Sequence, residues 1–167
     1  MRFLLSLFLS VSLFFTSATA VYAMGESRMM QATLVGKSAP DFTLDTLTQK
    51  NVNMTKYRDG KRAIIFFWAT WCPHCREQLK ELNEMRDAIK AKGIKIILVD
   101  LGEEILEVQK YAERYKVDLD IFLDKDSALG ESYRIIGVPT FYFVDEKGLV
   151  KQVTHGLSED IEQFFTP

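Results

Sequence analysis

The chain has 167 residues, of which 47% are hydrophobic and 26% are charged, and its formal net charge is −2. This length suits one domain with a short extension. The composition excludes a disordered chain and a disulfide-dense miniprotein, and the slight negative charge offers no electrostatic footprint for nucleic acid. The two cysteines, Cys72 and Cys75, are separated by two residues. Any sulfur chemistry of this chain is therefore local.

Residues 1–23 have the three-part layout of a secretory signal peptide. Arg2 supplies a positive start, an apolar run extends over residues 3–15, and small residues precede a cleavage point after Ala20 or Ala23. The same stretch is long enough to be an uncleaved membrane anchor, which is the alternative. Both interpretations predict export of the remainder to the periplasm or to the extracytoplasmic face of the cytoplasmic membrane. Contact with a membrane is expected only through such an anchor.

We expect residues 24–37 to form a flexible lead-in and residues 38–167 to form one domain. Hydrophobic periodicity and turn residues predict strands at 42–45, near 52, and at 63–69, 94–100, 121–124, 141–144 and 149–154. The same signals predict helices at 55–59, 73–92, 103–115, 127–133 and 158–165, the last capped by Ser158. This alternation implies an α/β fold with a mostly parallel central sheet and helices on both faces. An antiparallel hairpin is expected to close the sheet, and another to precede it.

The segment Trp71-Cys72-Pro73-His74-Cys75 lies where a buried strand gives way to a helix. At a helix start, free backbone N–H groups and the positive end of the helix dipole favour an anion, so Cys72 is expected to be the attacking thiolate. Cys75, nearly one turn further along, is expected to be the resolving thiol. Pro73 restricts the backbone, and a protonated His74 would favour the thiolate and make the pair more oxidising.

Other uses of two closely spaced cysteines have less support in this sequence. A zinc site normally needs four ligands, and only His74 and His155 could join the cysteines. A haem attachment site needs a histidine directly after the second cysteine, where Arg76 stands. Binding of Cu(I) by the cysteines, with or without His155, stays open because thiolates are apt ligands for that ion. A peroxidase is disfavoured by the spacing ahead of Cys72, and no cofactor is expected.

Several motifs together resemble the exported TlpA/ResA-like branch of the thioredoxin-fold thiol–disulfide oxidoreductases, within the AhpC/TSA–redoxin-like superfamily. They are Ala39-Pro-Asp-Phe with Leu44, Gly60-Lys61, Phe67-Trp-Ala-Thr-Trp-Cys-Pro-His-Cys, Gly137-Val-Pro-Thr, and Asp145 with Gly148. The resemblance implies disulfide exchange with proteins of the cell envelope, in which the chain acts as a reductant in cytochrome c maturation or in general disulfide reduction. It also implies a membrane or soluble electron donor or acceptor. The Pro-His dipeptide is similar to that of periplasmic disulfide-forming oxidases, so an oxidant is the alternative.

The same resemblance implies a substrate-binding surface beside the cysteines. Val138–Pro139 would be a cis peptide bond lying against Cys72. The backbone of Val138 would hydrogen-bond a bound polypeptide in the manner of a neighbouring strand. Trp71 and Thr140 would complete this surface.

Three positions depart from the pattern of these families. Phe66 stands where thioredoxin has a buried aspartate, Gln78 stands where many TlpA/ResA-like proteins have a glutamate, and Lys80 replaces a helix proline. Glu77 is one position away from the glutamate's place and is expected to face elsewhere. The usual internal acid–base group for the buried thiol is therefore missing, which leaves the direction of electron transfer open.

Overall fold

The structure, a computed structural model, describes residues 33–166. The expected signal or anchor segment at residues 1–23 and most of the expected lead-in lie outside the described residues. Between residues 33 and 166, no helix is both long and apolar enough to cross a membrane.

Strands and helices alternate along the described chain, and a short 3-10 helix follows them. The strands are β1 (Thr43–Thr46), β2 (Val52–Asn53), β3 (Arg62–Trp68), β4 (Ile94–Leu101), β5 (Ile121–Asp124), β6 (Thr140–Val144) and β7 (Val150–Thr154). The helices are α1 (Met54–Arg58), α2 (Pro73–Ala91), α3 (Ile105–Tyr115) and α4 (Leu129–Ser132), and the 3-10 helix is Ile161–Phe164. Apart from the last helix, these bounds lie within two residues of the predicted ones.

The strands form one sheet in the order β2-β1-β5-β4-β3-β6-β7. β3 pairs in parallel with β4, and β4 with β5, because the helices α2 and α3 provide the crossovers that parallel neighbours require. The outer pairs are antiparallel. The predicted α/β sheet with its two hairpins is confirmed. Parallel pairing, however, is confined to the three central strands rather than extending over most of the sheet, because β1 joins β5 and β6 joins β3 in the antiparallel direction.

The sheet buries a hydrophobic core on each face, as expected for helices on both sides. On one face, α2 contributes Cys75 and Leu79, and α3 contributes Val108. On the other face, Met54 of α1 packs in the same cluster as Tyr133, which directly follows α4. β3 lies between the two cores, which explains its continuous apolar sequence. The helix α2, which begins at the cysteine pair and is called the reactive helix below, is thus fixed on the first of these faces.

The closing helix differs from its prediction as an α-helix at residues 158–165. It is a 3-10 helix of four residues, Ile161–Phe164, and its N-cap is Asp160 rather than Ser158. The Asp160 carboxylate accepts a hydrogen bond from the backbone N–H of Glu162 at 3.1 Å. Aspartate and serine are both favoured N-cap residues, so the composition alone did not decide which one caps the helix.

The folded domain begins before the predicted boundary at residue 38. Leu34 is only 8% exposed and belongs to one of the two cores. The Gly36 N–H donates to the carbonyl of Val150 at 2.8 Å, and the Val150 N–H donates to the carbonyl of Lys37 at 2.8 Å. Residues 34–37 therefore pack on the start of β7, which corrects their assignment to a flexible lead-in. The apolar side chain of Leu34 supplies the physical reason.

Candidate active site

Cys72 is the N-cap of α2, and Pro73 is the first residue of that helix. The Cys72 Sγ accepts a hydrogen bond from the backbone N–H of Cys75 at 3.2 Å. The two cysteines form a disulfide in this structure. The predicted position of Cys72 at the helix start is therefore confirmed, and a thiolate there would accept the hydrogen bond of the Cys75 N–H and lie at the positive end of the helix dipole.

The two cysteines differ in their contact with solvent. Cys72 is 5% exposed, whereas Cys75 is completely buried in the core beneath α2. The neighbouring Trp71 is 67% exposed. A large apolar side chain on the surface beside a reactive sulfur offers contact area to a partner. The geometry thus gives an incoming disulfide access to the first cysteine and not to the second.

The segment before β6 lies against this disulfide. The Val138–Pro139 peptide bond is cis, in agreement with the prediction. The carbonyl oxygen of Val138 lies 3.6 Å from Cys72 Sγ. Thr140 is buried, and its hydroxyl donates to the carbonyl of Gly137 at 2.7 Å, which closes the loop on itself. The fold thus brings together two segments that are 66 residues apart in the chain.

His74 projects into solvent from the first turn of α2. Its side chain is 83% exposed, and its Nδ1 lies 3.4 Å from an Oε atom of Glu77, whose side chain is 72% exposed. Water and salt screen such an exposed pair strongly. Among the described residues, the His74 ring is hydrogen-bonded to Glu77 and to neither sulfur. Any influence of His74 on the cysteines is therefore electrostatic and acts through space.

Glu103 is a site residue that the sequence patterns did not reveal. Its carboxylate accepts hydrogen bonds from the backbone N–H and from the hydroxyl of Thr70, both at 2.5 Å. Glu103 is 8% exposed and lies in the loop before α3, not in the helix as predicted. Thr70 lies two residues before Cys72, so this carboxylate holds the turn that leads into the disulfide. A possible signal was the acidic residues that follow the buried strand β4 at its carboxyl end.

Asp100 is a second buried acid close to this region. It lies opposite Trp68 in the parallel pairing of β3 and β4, so both side chains point to the sheet face that carries the cysteines. Its two carboxyl oxygens and the indole nitrogen of Trp68 are buried without a hydrogen-bond partner among the described residues. Burial and the neighbouring carboxylate of Glu103 raise the pKa of Asp100 to about 9. Asp100 therefore carries a proton at neutral pH.

The three departures noted in the sequence have different structural consequences. Phe66, in the place of a buried aspartate, stacks on Phe141 with ring centroids 4.1 Å apart. Gln78 is half-buried, and its Oε1 accepts a hydrogen bond from the backbone N–H of Leu157 at 2.6 Å. Lys80 is exposed on α2. The buried carboxyl groups of this region thus belong to Glu103 and Asp100, at positions that the sequence patterns did not identify.

The sequence left His155 open as a metal ligand, and the structure places it beside the loop before β6. Its Nδ1 lies 2.8 Å from the carbonyl oxygen of Pro139. Within residues 33–166, no group of three or more histidine, cysteine, aspartate or glutamate side chains is arranged to hold a metal ion. The described residues therefore give a Cu(I) ion no third histidine, cysteine or carboxylate ligand beside the cysteines.

A cavity of about 520 Å³ lies at the opposite end of the parallel strands. Its lining includes Ile94 and Ile121, the first residues of β4 and β5, together with Arg86 and Asp120. The cysteines follow the carboxyl end of β3, so this cavity does not belong to the disulfide. Cys72 instead reaches solvent beside the exposed side chain of Trp71.

The sequence profile of the AhpC/TSA family matches residues 35–153. The chain belongs to the AhpC/TSA family. This AhpC/TSA-family chain is 35% identical over 152 residues to the thiol-disulfide oxidoreductase ResA of Geobacillus kaustophilus, covering 90% of this chain and 80% of that relative.

Solved structures of thiol–disulfide oxidoreductases are also similar to this AhpC/TSA-family chain. A thiol:disulfide interchange protein DsbE from Chlorobium tepidum is similar with a TM-score of 0.71 and 27% identity, over 78% of this chain and 94% of that chain. The thioredoxin domain of a thiol-disulfide oxidoreductase from Bacteroides vulgatus is similar with a TM-score of 0.70 and 28% identity, over 79% and 98% of the two chains. The predicted thioredoxin-like fold and likeness to the ResA/TlpA group are confirmed, and the chain is an oxidoreductase.

Proposed function

We propose that this chain is an exported thiol–disulfide oxidoreductase that reduces disulfides of protein substrates through Cys72 and Cys75. The observation that carries the proposal is the redox pair at the start of α2, with Cys72 Sγ 3.6 Å from the carbonyl of Val138. The solvent contact of Cys72 beside the exposed Trp71, away from the 520 Å³ cavity, supports a protein substrate rather than a small one. The names of the relatives, which are thiol–disulfide oxidoreductases, support the same reaction.

The reaction runs in two exchange steps. The Cys72 thiolate attacks one sulfur of the substrate disulfide, forms a mixed disulfide and releases the other substrate sulfur as a thiolate. The Cys75 thiolate then attacks Cys72 Sγ, which forms the Cys72–Cys75 disulfide and releases the second substrate sulfur. Two electrons pass from the cysteine pair to the substrate, and the two protons of the cysteines balance the two new substrate thiols. A separate electron donor, in the membrane or soluble, must reduce the pair again.

The residues around the pair have separate proposed functions. Trp71 and the loop of Val138, Pro139 and Thr140 bind the substrate, with the backbone of Val138 pairing with an extended polypeptide. Pro73 and His74 tune the stability of the Cys72 thiolate relative to the disulfide. The exposure of Trp71 and the contact of Val138 with Cys72 support the first assignment.

The proposed location is the periplasm or the extracytoplasmic face of the cytoplasmic membrane. It rests on residues 1–23, whose charge and apolar pattern is that of a signal peptide or of an anchor. Partners would then be protein thiols and disulfides of the cell envelope. Reduction of apocytochrome cysteines during cytochrome c maturation and general disulfide reduction are the proposed tasks.

The test is the reduction potential of the Cys72–Cys75 couple, measured against glutathione, together with the rate of insulin disulfide reduction. A reductant should have a potential near that of thioredoxin, about −270 mV, and should reduce insulin. A potential near about −120 mV would instead indicate an oxidant. Stoichiometric retention of Cu(I) after dialysis, without reduction of insulin, would contradict the proposed reaction and favour metal handling by the same cysteines.

A further inference from the structure

His155 follows β7 directly, and its ring binds the loop that lies against the disulfide. The Nδ1 atom is 2.8 Å from the carbonyl oxygen of Pro139 and 3.3 Å from Oγ1 of Thr140. A carbonyl oxygen can only accept a hydrogen bond, so Nδ1 carries the hydrogen in this contact. The Thr140 hydroxyl donates its own hydrogen to Gly137 at 2.7 Å, which leaves its oxygen free to accept from the ring. His155 therefore donates to two consecutive residues of the loop.

The segment that carries His155 is itself held on the reactive helix. Gln78 of α2 accepts a hydrogen bond from the backbone N–H of Leu157 at 2.6 Å. The Leu157 side chain packs against the core cluster that contains both cysteines. The Thr154 hydroxyl donates to the carbonyl of Gly156 at 2.8 Å, which restrains the turn between them. Residues 154–157 thus connect α2 with the loop before β6.

We propose that His155 is a positioning residue for polypeptide substrates. By holding the carbonyl of Pro139, it fixes the orientation of the preceding backbone, including the Val138 carbonyl 3.6 Å from Cys72 Sγ. An extended substrate gains its backbone hydrogen bonds only if this strand-like edge is already in place, because ordering a loop on binding costs affinity. The inference rests on the proposed function, since it assigns the loop to substrate binding.

If His155 positions the loop for polypeptides, the effect of replacing it depends on the size of the substrate. A small disulfide reaches the Cys72 sulfur without pairing with the loop backbone, so it does not depend on His155. A polypeptide disulfide does depend on it. An asparagine at this position carries an amide N–H close to the place of Nδ1 and can replace the donor, whereas alanine cannot.

The experiment compares the wild-type full chain with His155→Ala and His155→Asn in steady-state reduction of insulin and of a small aromatic disulfide. Gln152→Ala, an exposed change on β7, is the matched control. For His155→Ala, KM for insulin should rise by about three- to tenfold, the effect of losing one hydrogen bond, while kcat and the rate with the small disulfide stay within about twofold. His155→Asn should restore most of the KM, and the control should match the wild type.

Two kinds of result overturn the inference, and they can be told apart. If the wild-type chain reduces insulin and His155→Ala has an unchanged KM, or if His155→Asn is no better than His155→Ala, the positioning function is wrong while the proposed function stands. An equal loss with both disulfides would also overturn it, since it would indicate general damage to the site. A wild-type chain that reduces neither disulfide would refute the proposed function and this inference with it.

Discussion

The carboxylate of Glu103 binds Thr70 at two points, the backbone N–H and the hydroxyl, each at 2.5 Å. Because Glu103 is 8% exposed, its charge is compensated by these donors rather than by water. Thr70 belongs to the turn between β3 and α2, from which the reactive helix starts at Cys72. The loop after β4 is thereby tied to the turn that presents the disulfide.

Replacing Glu103 with glutamine should destabilise the protein and disturb this turn. The amide oxygen of glutamine can still accept one of the two hydrogen bonds, but its NH₂ group would face the other donor. We expect a loss of about 1.5–3 kcal/mol in the free energy of unfolding, the usual contribution of a hydrogen bond to a charged group. Urea unfolding monitored by circular dichroism measures it. Glu104→Gln is the matched control, because the Glu104 side chain is 80% exposed, and equal effects of the two changes would contradict the assignment.

Serine substitutions should distinguish the functions of the two cysteines. Cys72→Ser should abolish exchange, because no nucleophilic sulfur remains at the surface. Cys75→Ser should still attack a substrate but accumulate the mixed disulfide, since the buried sulfur that resolves it is gone. Non-reducing electrophoresis of the variants mixed with oxidised insulin measures both outcomes. Full turnover by Cys75→Ser would contradict the two-step reaction.

Local patterns were sufficient to predict most of the fold and the centre of the site. The apolar run of β3 and the cysteine pair after it are adjacent in the chain, so strand, helix start and reactive sulfur could be predicted together. The contact of Val138 with Cys72 required the likeness to known oxidoreductases, because it joins residues 66 apart. Sequence patterns alone contain no information on such a distance.

The remaining site residues could not be predicted, because their partners lie in other elements. Glu103 was assigned to a helix because its neighbours have helical periodicity, and a buried glutamate is rare unless it is paired. Its partner, Thr70, lies 33 residues away. The contact of His155 could not be predicted for the same reason, since an isolated histidine at the end of a strand gives no sign of the carbonyl that it binds.

The earlier start of the folded domain predicts a difference between two neighbouring apolar residues. Leu34 is 8% exposed and Val35 is 44% exposed. Leu34→Ala should lower the free energy of unfolding by about 2–3 kcal/mol, near the lower end of the range for buried leucines because the site lies at the edge of the core. Val35→Ala should change it by less than about 0.5 kcal/mol. Denaturant titration of the two variants measures the contrast, and equal losses would argue against packing of residues 34–37.

Asp100 should make the stability of the protein fall as the pH rises. Burial and the Glu103 carboxylate raise its pKa in the folded protein to about 9, compared with 3.8 as the ordinary value. Below the ordinary value both states hold the proton, and the group has no effect. Between the two values the unfolded chain releases the proton while the folded protein keeps it, so the free energy of unfolding falls by up to about 1.4 kcal/mol per pH unit. The free energy of unfolding stops falling once the pH exceeds the pKa of Asp100 in the folded protein.

Asp100→Asn removes this ionisation while keeping the shape of the side chain. Its free energy of unfolding should depend less on pH than that of the wild type, so that the variant gains relative stability steadily between pH 5 and pH 8. Urea titrations at four pH values in this range measure the two profiles. Asp126→Asn is the control, because Asp126 lies in the exposed turn after β5 and its replacement should leave the slope unchanged. Parallel profiles for wild type and Asp100→Asn would mean that Asp100 is already ionised in the folded protein.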